Sequence, residues 1–331
     1  MPRFVVVGAG AIGGLLGARL AIAGEDVVLV ARGAHLEAMR QRGLVVRGPA
    51  AGAEVTAKPP CTDDLGAVRD AAVVLLGLKA HSLPAVARQL GANLHPDTTV
   101  VSLQNGIPWW YFERLGGPLD GLHLDAVDPG GVIAASIDAG QVVGGIAYPA
   151  AQVAEPGVID HVEGERLSIG ELDGSRTPRC QALAAAFAGA GFRSRIQRDI
   201  RQELWFKLLG NAAFNPISAL TRASLVEIAE FPDTRELSKA VMEEVAAVAR
   251  AVGVELALAP ERRLAGAAAV GAHKTSMLQD VEQGRPLEVG AVVGAVVELG
   301  ARLGLDLPHL ATLHACVRLL DPGRPRSTAS H

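Results

Sequence analysis

Cysteine, aromatic residues and excess charge are all scarce in this 331-residue sequence, which has three cysteines, 4% aromatics and a net charge of −4. Each scarcity removes a class of protein. Cys61, Cys180 and Cys316 stand far apart, at no metal-ligand spacing, so no zinc module and no disulfide framework is expected and no metal is assigned. An odd, sparse set suits a reducing compartment. The near-balanced charge offers no basic field for nucleic acid. No apolar run reaches the length that spans a bilayer, so no membrane partner is expected. The chain opens directly on a core strand, from which we expect no cleavable signal and a cytoplasmic location. No fixed-period repeat is present, and the length suggests about two domains.

What the sequence does have is a glycine-punctuated start. Phe4-Val5-Val6-Val7 is a short apolar run of the kind buried on both faces of a parallel sheet. Gly8, Gly10 and Gly13 follow at once, and Leu15 to Ala23 reads as a helix. In such a strand–turn–helix the first glycine permits the turn, the second admits a pyrophosphate and the third lets helix pack on strand. The turn Gly8, Ala9, Gly10, Ala11, Ile12 and Gly13 is therefore assigned to a dinucleotide, held on the helix N-terminus.

Further strands alternate with helices: Asp26–Ala31, Ala72–Leu78 and Thr98–Leu103, with short strands at 44–46 and 55–56. The expected fold class is α/β, an N-terminal Rossmann-type doubly wound sheet followed by an all-helical C-terminal domain. Arg32 stands at the end of the second strand, where a carboxylate would mark an adenine ribose with free hydroxyls. An arginine there suits a 2′-phosphate and favours NADPH over NADH, with Arg47 a weaker alternative. Lys79 and Asn105 stand at two other strand ends, where doubly wound sheets bind ligands; Asn105-Gly106 could equally be a plain turn. Trp109 to Phe112 is read as core or interface. The stretches 132–136, 142–150, 157–164 and 166–171 read as short strands of a meander that completes or flanks the sheet.

From Asp199 the chain reads as helical to its end. The boundaries assigned are 1–197 for the dinucleotide domain, 198–320 for a helical substrate and dimerisation domain, with a homodimer as candidate assembly, and 321–331 for a disordered tail. Between Leu204 and Leu220 the one charge is Lys207. Lys207, Asn211 and Asn215 recur every four residues and so share one helical stripe. An ammonium among apolar turns is costly unless it is paired or does chemistry. The stripe is therefore expected to face a cleft between the domains and to donate a proton to a reacting oxygen, the other reading being a polar stripe on a half-exposed helix. Pro216 is expected to end or distort the helix at Asn215. Ser276 and Glu288 follow in a third group, where Glu288 at a helix start is also explained by the helix dipole.

GAGAIGG, Arg32, LKAHS around Lys79, QNG around Asn105, ELWFKLLGNAAFNP and TSMLQDVEQGRPLEVG occur in this order. Together they make the sequence resemble the 2-dehydropantoate 2-reductases, or ketopantoate reductases, over almost the whole chain. The resemblance implies NADPH-dependent reduction of 2-dehydropantoate to pantoate, on the route to coenzyme A. It carries the general acid onto Lys207 and substrate contacts onto Asn211, Asn215 and Ser276. Glu288 falls near the cofactor ribose and the lysine, Lys79 and Asn105 between cofactor and substrate, and Arg32 on the 2′-phosphate. The stretch after Asn105 is bulkier and more aromatic than the family pattern. It leaves open another 2-oxo acid or an imine as substrate. A non-catalytic NADPH-sensing protein is the remaining alternative.

Overall fold

The structure is a computed structural model that describes residues 2–49, 52–256 and 259–324. It divides into two compact units. The first comprises residues 1–104, 108–123 and 128–203, and the second 105–107, 124–127 and 204–331. Two short segments of the N-terminal half, one of them carrying Asn105, therefore belong with the helical half.

In the first unit the described strands are β1 (Arg3–Val7), β2 (Asp26–Val30), β3 (Leu44–Arg47), β4 (Glu54–Ala57), β5 (Cys61–Thr62), β6 (Val73–Leu76), β7 (Thr99–Ser102), β8 (Val142–Ala147), β9 (Ala150–Glu155), β10 (Val158–Glu163), β11 (Arg166–Glu171) and β12 (Arg193–Ile196). The main sheet has the order β12-β11-β8-β7-β6-β1-β2-β5. Strands β5, β2, β1, β6, β7 and β8 run parallel, and β11 is antiparallel to β8. The chain moves one way from β1 to β2 and the other way to β6, so β1 is the point where strand order reverses. Ligands of doubly wound sheets bind outside the C-terminal ends of such strands. Buried runs such as Phe4–Val7 and Val73–Leu76 form this sheet because both faces are covered.

A second sheet has the order β4-β3-β10-β9. The expected meander thus splits: β8 and β11 join the main sheet, while β10 pairs with β3 and β9 with β10. Helix α1 (Ala11–Ile22) lies between the sheets. A Cβ on Gly17 would meet Leu29 Cδ2 of the main sheet at 2.4 Å, and one on Gly14 would meet Ile159 Cδ1 of the second at 2.4 Å. A helix covered on two sides needs small residues rather than one apolar stripe, which explains the glycine-rich sequence of α1.

Residues 132–136 are not the strand expected of them. They form consecutive turns, with Ala135 N bonded to Gly131 O and Ile137 N to Ile133 O. The buried Asp128 carboxylate accepts from Ile133 N at 2.7 Å and Ala134 N at 3.0 Å, so these two donors are satisfied by a side chain rather than by a neighbouring strand. Trp109, Trp110, Tyr111 and Phe112 are buried core residues, and Tyr111 meets Phe112 edge to face at 4.7 Å. The remaining helices of this unit are α2 (Gly33–Arg42), α3 (Pro84–Gly91) and α4 (Pro178–Gly189).

The second unit is built on α5 (Ile200–Thr221), which begins in the first, followed by α6 (Leu225–Glu230), α7 (Pro232–Ala251), α8 (Pro260–Val270), α9 (Ser276–Glu282), α10 (Ala295–Arg302) and α11 (Pro308–Leu320). Pro216 does not end α5, which runs on to Thr221. An interior proline costs about 3 kcal/mol. Here Ala212, Ala213, Phe214, Ile217 and Ala219 are all buried around it, and packing on this scale outweighs the lost hydrogen bond. Of the tail, residues 321–324 form a turn in which Asp321 accepts from Leu287 N at 3.0 Å; residues 325–331 lie outside the described residues.

Candidate active site

The dinucleotide turn is shaped by contacts that leave no room for side chains. Gly8 has φ +95°, and a Cβ there would meet Leu78 N at 2.7 Å; one on Gly13 would meet Gly8 O at 2.2 Å. Gly77, beyond β6, is pressed into the same turn, with Gly8 O 2.6 Å from where its Cβ would be. Gly10 differs: nothing lies within 4 Å of its Cβ position. Such open space beside a backbone turn fits the close approach of a pyrophosphate. Gly8 N and Ala9 N both donate to Val30 O at 3.0 Å, and no side chain caps α1 before Ala11 and Ile12. Arg32 is exposed at the end of β2, where it is the N-cap of α2. Lys79 is half-buried just beyond β6. Arg47 instead sits among Glu54, Glu155 and Asp160 at 3.3–3.8 Å, which occupies it with carboxylates.

Two side chains that sequence reasoning missed hold this unit's strand-end loops. His35 Nε2 donates to Ala9 O at 2.9 Å while its Nδ1 accepts from Gly157 N at 3.0 Å. That pairing requires the neutral ring, and burial lowers its pKa accordingly. Gln104 is buried and donates to Leu76 O at 3.0 Å and Leu78 O at 3.2 Å, fixing the loop that carries Lys79. Neither residue lies in a pattern that a single sequence exposes.

The second unit gathers three of the predicted residues. Lys207 Nζ donates to Asn105 Oδ1 at 2.7 Å, and Asn105 Nδ2 donates to Glu288 Oε2 at 3.2 Å. Asn105 thus uses both ends of its amide to join a cation to an anion. Desolvation lowers the Lys207 pKa to about 8, against the Glu288 charge, which raises it, and with help from the Arg263 charge, which lowers it. The ammonium therefore releases its proton near neutral pH more readily than an ordinary lysine. Asn211 is half-buried and Asn215 buried, one and two turns further along α5. Ser276 is exposed at the first position of α9, whose cap is Thr275. The hydrogen bonds that gather Lys207, Asn105 and Glu288 do not include Asn211, Asn215 or Ser276.

A π-turn locks this cluster. Glu288 precedes a helical run whose residues Gly290–Gly294 are π-helical. Ala295 N donates five residues back to Gly290 O, and Ala291 O accepts from Ile107 N at 2.9 Å instead. A Cβ on Gly106 would lie 2.1 Å from Ala291 O, so the Asn105-Gly106 turn rests directly on that carbonyl. Glu298 holds the other borrowed segment, accepting from Asp125 N at 3.1 Å and Ala126 N at 2.9 Å. Such π-turns recur at functional sites, and no sequence pattern announced this one.

The sequence profile described as "Ketopantoate reductase PanE/ApbA" matches residues 4–174, and that described as "Ketopantoate reductase PanE/ApbA C terminal" matches residues 199–321. The chain belongs to the ketopantoate reductase family. It is 47% identical to the 2-dehydropantoate 2-reductase of Mesorhizobium japonicum over 321 residues, 96% of this chain and 97% of that one. It is 32% identical to the 2-dehydropantoate 2-reductase of Archaeoglobus fulgidus, covering 98% of this chain and 99% of the relative. Its fold superposes with TM-score 0.91 on a Ralstonia solanacearum MolK2 crystal structure assigned to a ketopantoate reductase, at 40% identity, covering 97% of this chain and 98% of that one. Like the named members of this family, the chain is an oxidoreductase. Among the described residues no helix is long and apolar enough to cross a membrane, and no group of metal-ligating side chains occurs.

Proposed function

We propose that this protein reduces 2-dehydropantoate to pantoate with NADPH, using Lys207 as the general acid. The observation that carries the reading is the Lys207–Asn105–Glu288 chain, a cation of lowered pKa held by an amide that a carboxylate in turn holds. Gly8 to Gly13 would hold the pyrophosphate, Arg32 the 2′-phosphate and Lys79 the neighbouring part of the cofactor. Bound NADPH supplies the hydride. As negative charge develops on the C2 oxygen of the 2-oxo acid, Lys207 stabilises it and transfers its proton there, giving the 2-hydroxy acid. Asn105 orients the donor by accepting from Nζ. Glu288 keeps the ammonium charged until the substrate arrives. Asn211, Asn215 and Ser276 supply polar contacts to the substrate. Dinucleotide binding belongs on this reading to residues 1–197, substrate binding and dimerisation to 198–320.

The experiment is NADPH oxidation measured against a panel of 2-oxo acids that includes 2-dehydropantoate. The highest kcat/KM is expected with 2-dehydropantoate, and a clear preference for another acid would replace the substrate while keeping the chemistry. The protein is expected to act in the cytoplasm on a small molecule, without nucleic acid or membrane partners. Sedimentation should find a homodimer.

A further inference from the structure

Arg263, on α8, was singled out by no motif, and the structure lays its guanidinium on α5 beside the proton donor. A Cβ on Gly210 would lie 2.6 Å from Arg263 Nη2 and 2.7 Å from Nε. The guanidinium carbon is 5.1 Å from the centroid of the Phe206 ring. Phe206 and Gly210 are four residues apart and form the helical row adjacent to Lys207 and Asn211. The guanidinium thus lies against α5 beside the Lys207 stripe, where glycine leaves space for it, and is half-buried. Its charge is felt at Lys207, where it works against the ammonium.

Two neighbouring cations repel each other, and the arrangement is productive when an anion is shared between them. A 2-oxo acid carries a carboxylate one bond from the carbonyl that must receive hydride and proton. A planar fork of donors matches a carboxylate in a way a lysine does not.

We propose that Arg263 anchors the carboxylate of the 2-oxo acid substrate, while Lys207 addresses its C2 oxygen, so that Arg263 makes the enzyme select acids over uncharged carbonyl compounds. The proposal rests on the reading of the chain as a 2-oxo acid reductase. Gly210 has a definite part in it: any side chain there displaces the guanidinium without removing its charge.

The test compares the holoenzyme with Arg263→Ala, Arg263→Lys and Gly210→Ala, using 2-dehydropantoate and its uncharged lactone, ketopantoyl lactone. In Arg263→Ala the KM for the acid should rise roughly ten- to a hundredfold, the scale of a lost charged hydrogen bond, with kcat within a fewfold. The KM for the lactone should stay put, so the preference for the acid collapses. Arg263→Lys should recover part of it and Gly210→Ala should lose part of it. A folded Arg263→Ala protein with an unchanged acid-to-lactone preference overturns the proposal. Calorimetric titration with pantoate in the presence of NADP+ tests the anchor without turnover: Arg263→Ala should weaken it by the same factor, and equal affinity also overturns the proposal. The general-acid reading fails separately, through a Lys207→Ala protein that keeps its turnover.

Discussion

The dinucleotide turn and the α5 stripe do opposite things with side chains. In the turn, the proposed binding rests on their absence: Gly8, Gly13 and Gly77 let backbone meet backbone, and Gly10 leaves open space. On α5, the proposed chemistry rests on a polar side chain placed where burial penalises it, with Lys207 among Leu204, Trp205, Leu208 and Leu209, all buried. A backbone cradle binds what already carries charge and needs no titrating group. A proton donor must be tuned, and desolvation is the tuning. The two regions should therefore fail separately under mutation.

The largest effect is expected at the tuned group. Lys207→Ala should lower the turnover number by about 10²–10⁴-fold, the scale of a general acid, while NADPH affinity changes little because Gly8–Gly13 and Arg32 lie in the other unit. Steady-state kinetics paired with cofactor titration of the folded variant checks both halves. Turnover within a fewfold of the parent would move the role to another donor, with Lys79 examined first.

Next come the neutral members of the site. Asn211→Ala and Ser276→Ala should each raise the KM for the 2-oxo acid by roughly five- to a hundredfold, as for a hydrogen bond lost in a desolvated site, with NADPH binding unaltered. Ser276 is exposed, so the smaller change is expected there. Unchanged substrate constants in both would remove them from the site.

The smallest effect is expected at the cradle's edge. Arg32→Asp should weaken NADPH binding and narrow the NADPH-to-NADH preference, because Arg32 is exposed and exposed charges are screened. It should leave the KM for the acid at saturating cofactor alone. Equal use of the two cofactors by the unaltered protein would show that Arg32 meets no 2′-phosphate.

The two regions also differed in how far they could be read from sequence. The turn is local: a β-branched run, three glycines and a helix lie within the first 23 residues, with Gly8 and Gly13 fixed by close backbone contacts and Gly10 leaving open space. The stripe was legible as one misplaced charge at a four-residue spacing. Its partners were not, because Asn105 and Glu288 are separated from Lys207 by 102 and 81 positions and from each other by 183. Only the resemblance named them together. The π-turn, the His35 clasp on Ala9 O and the Gln104 brace depend on tertiary hydrogen bonds with no periodic signature. Residues 132–136 form turns rather than a strand, with the Asp128 carboxylate accepting from Ile133 N and Ala134 N, a partner that their apolar run does not announce. Pro216 was misread because burial outweighed a local rule.

The central claim is that Lys207 gives up its proton in the chemical step from a pKa lowered to about 8. The donor must be protonated for reduction, so kcat/KM for the 2-oxo acid should be level below that value and fall as pH rises through it. Oxidation of pantoate, which needs the free amine as base, should show the opposite limb. The deciding measurement is kcat/KM for NADPH-dependent reduction between pH 6 and 10, roughly two units either side of that pKa. A decline centred near 8 is predicted; a profile that stays flat until the ordinary lysine range would contradict the account.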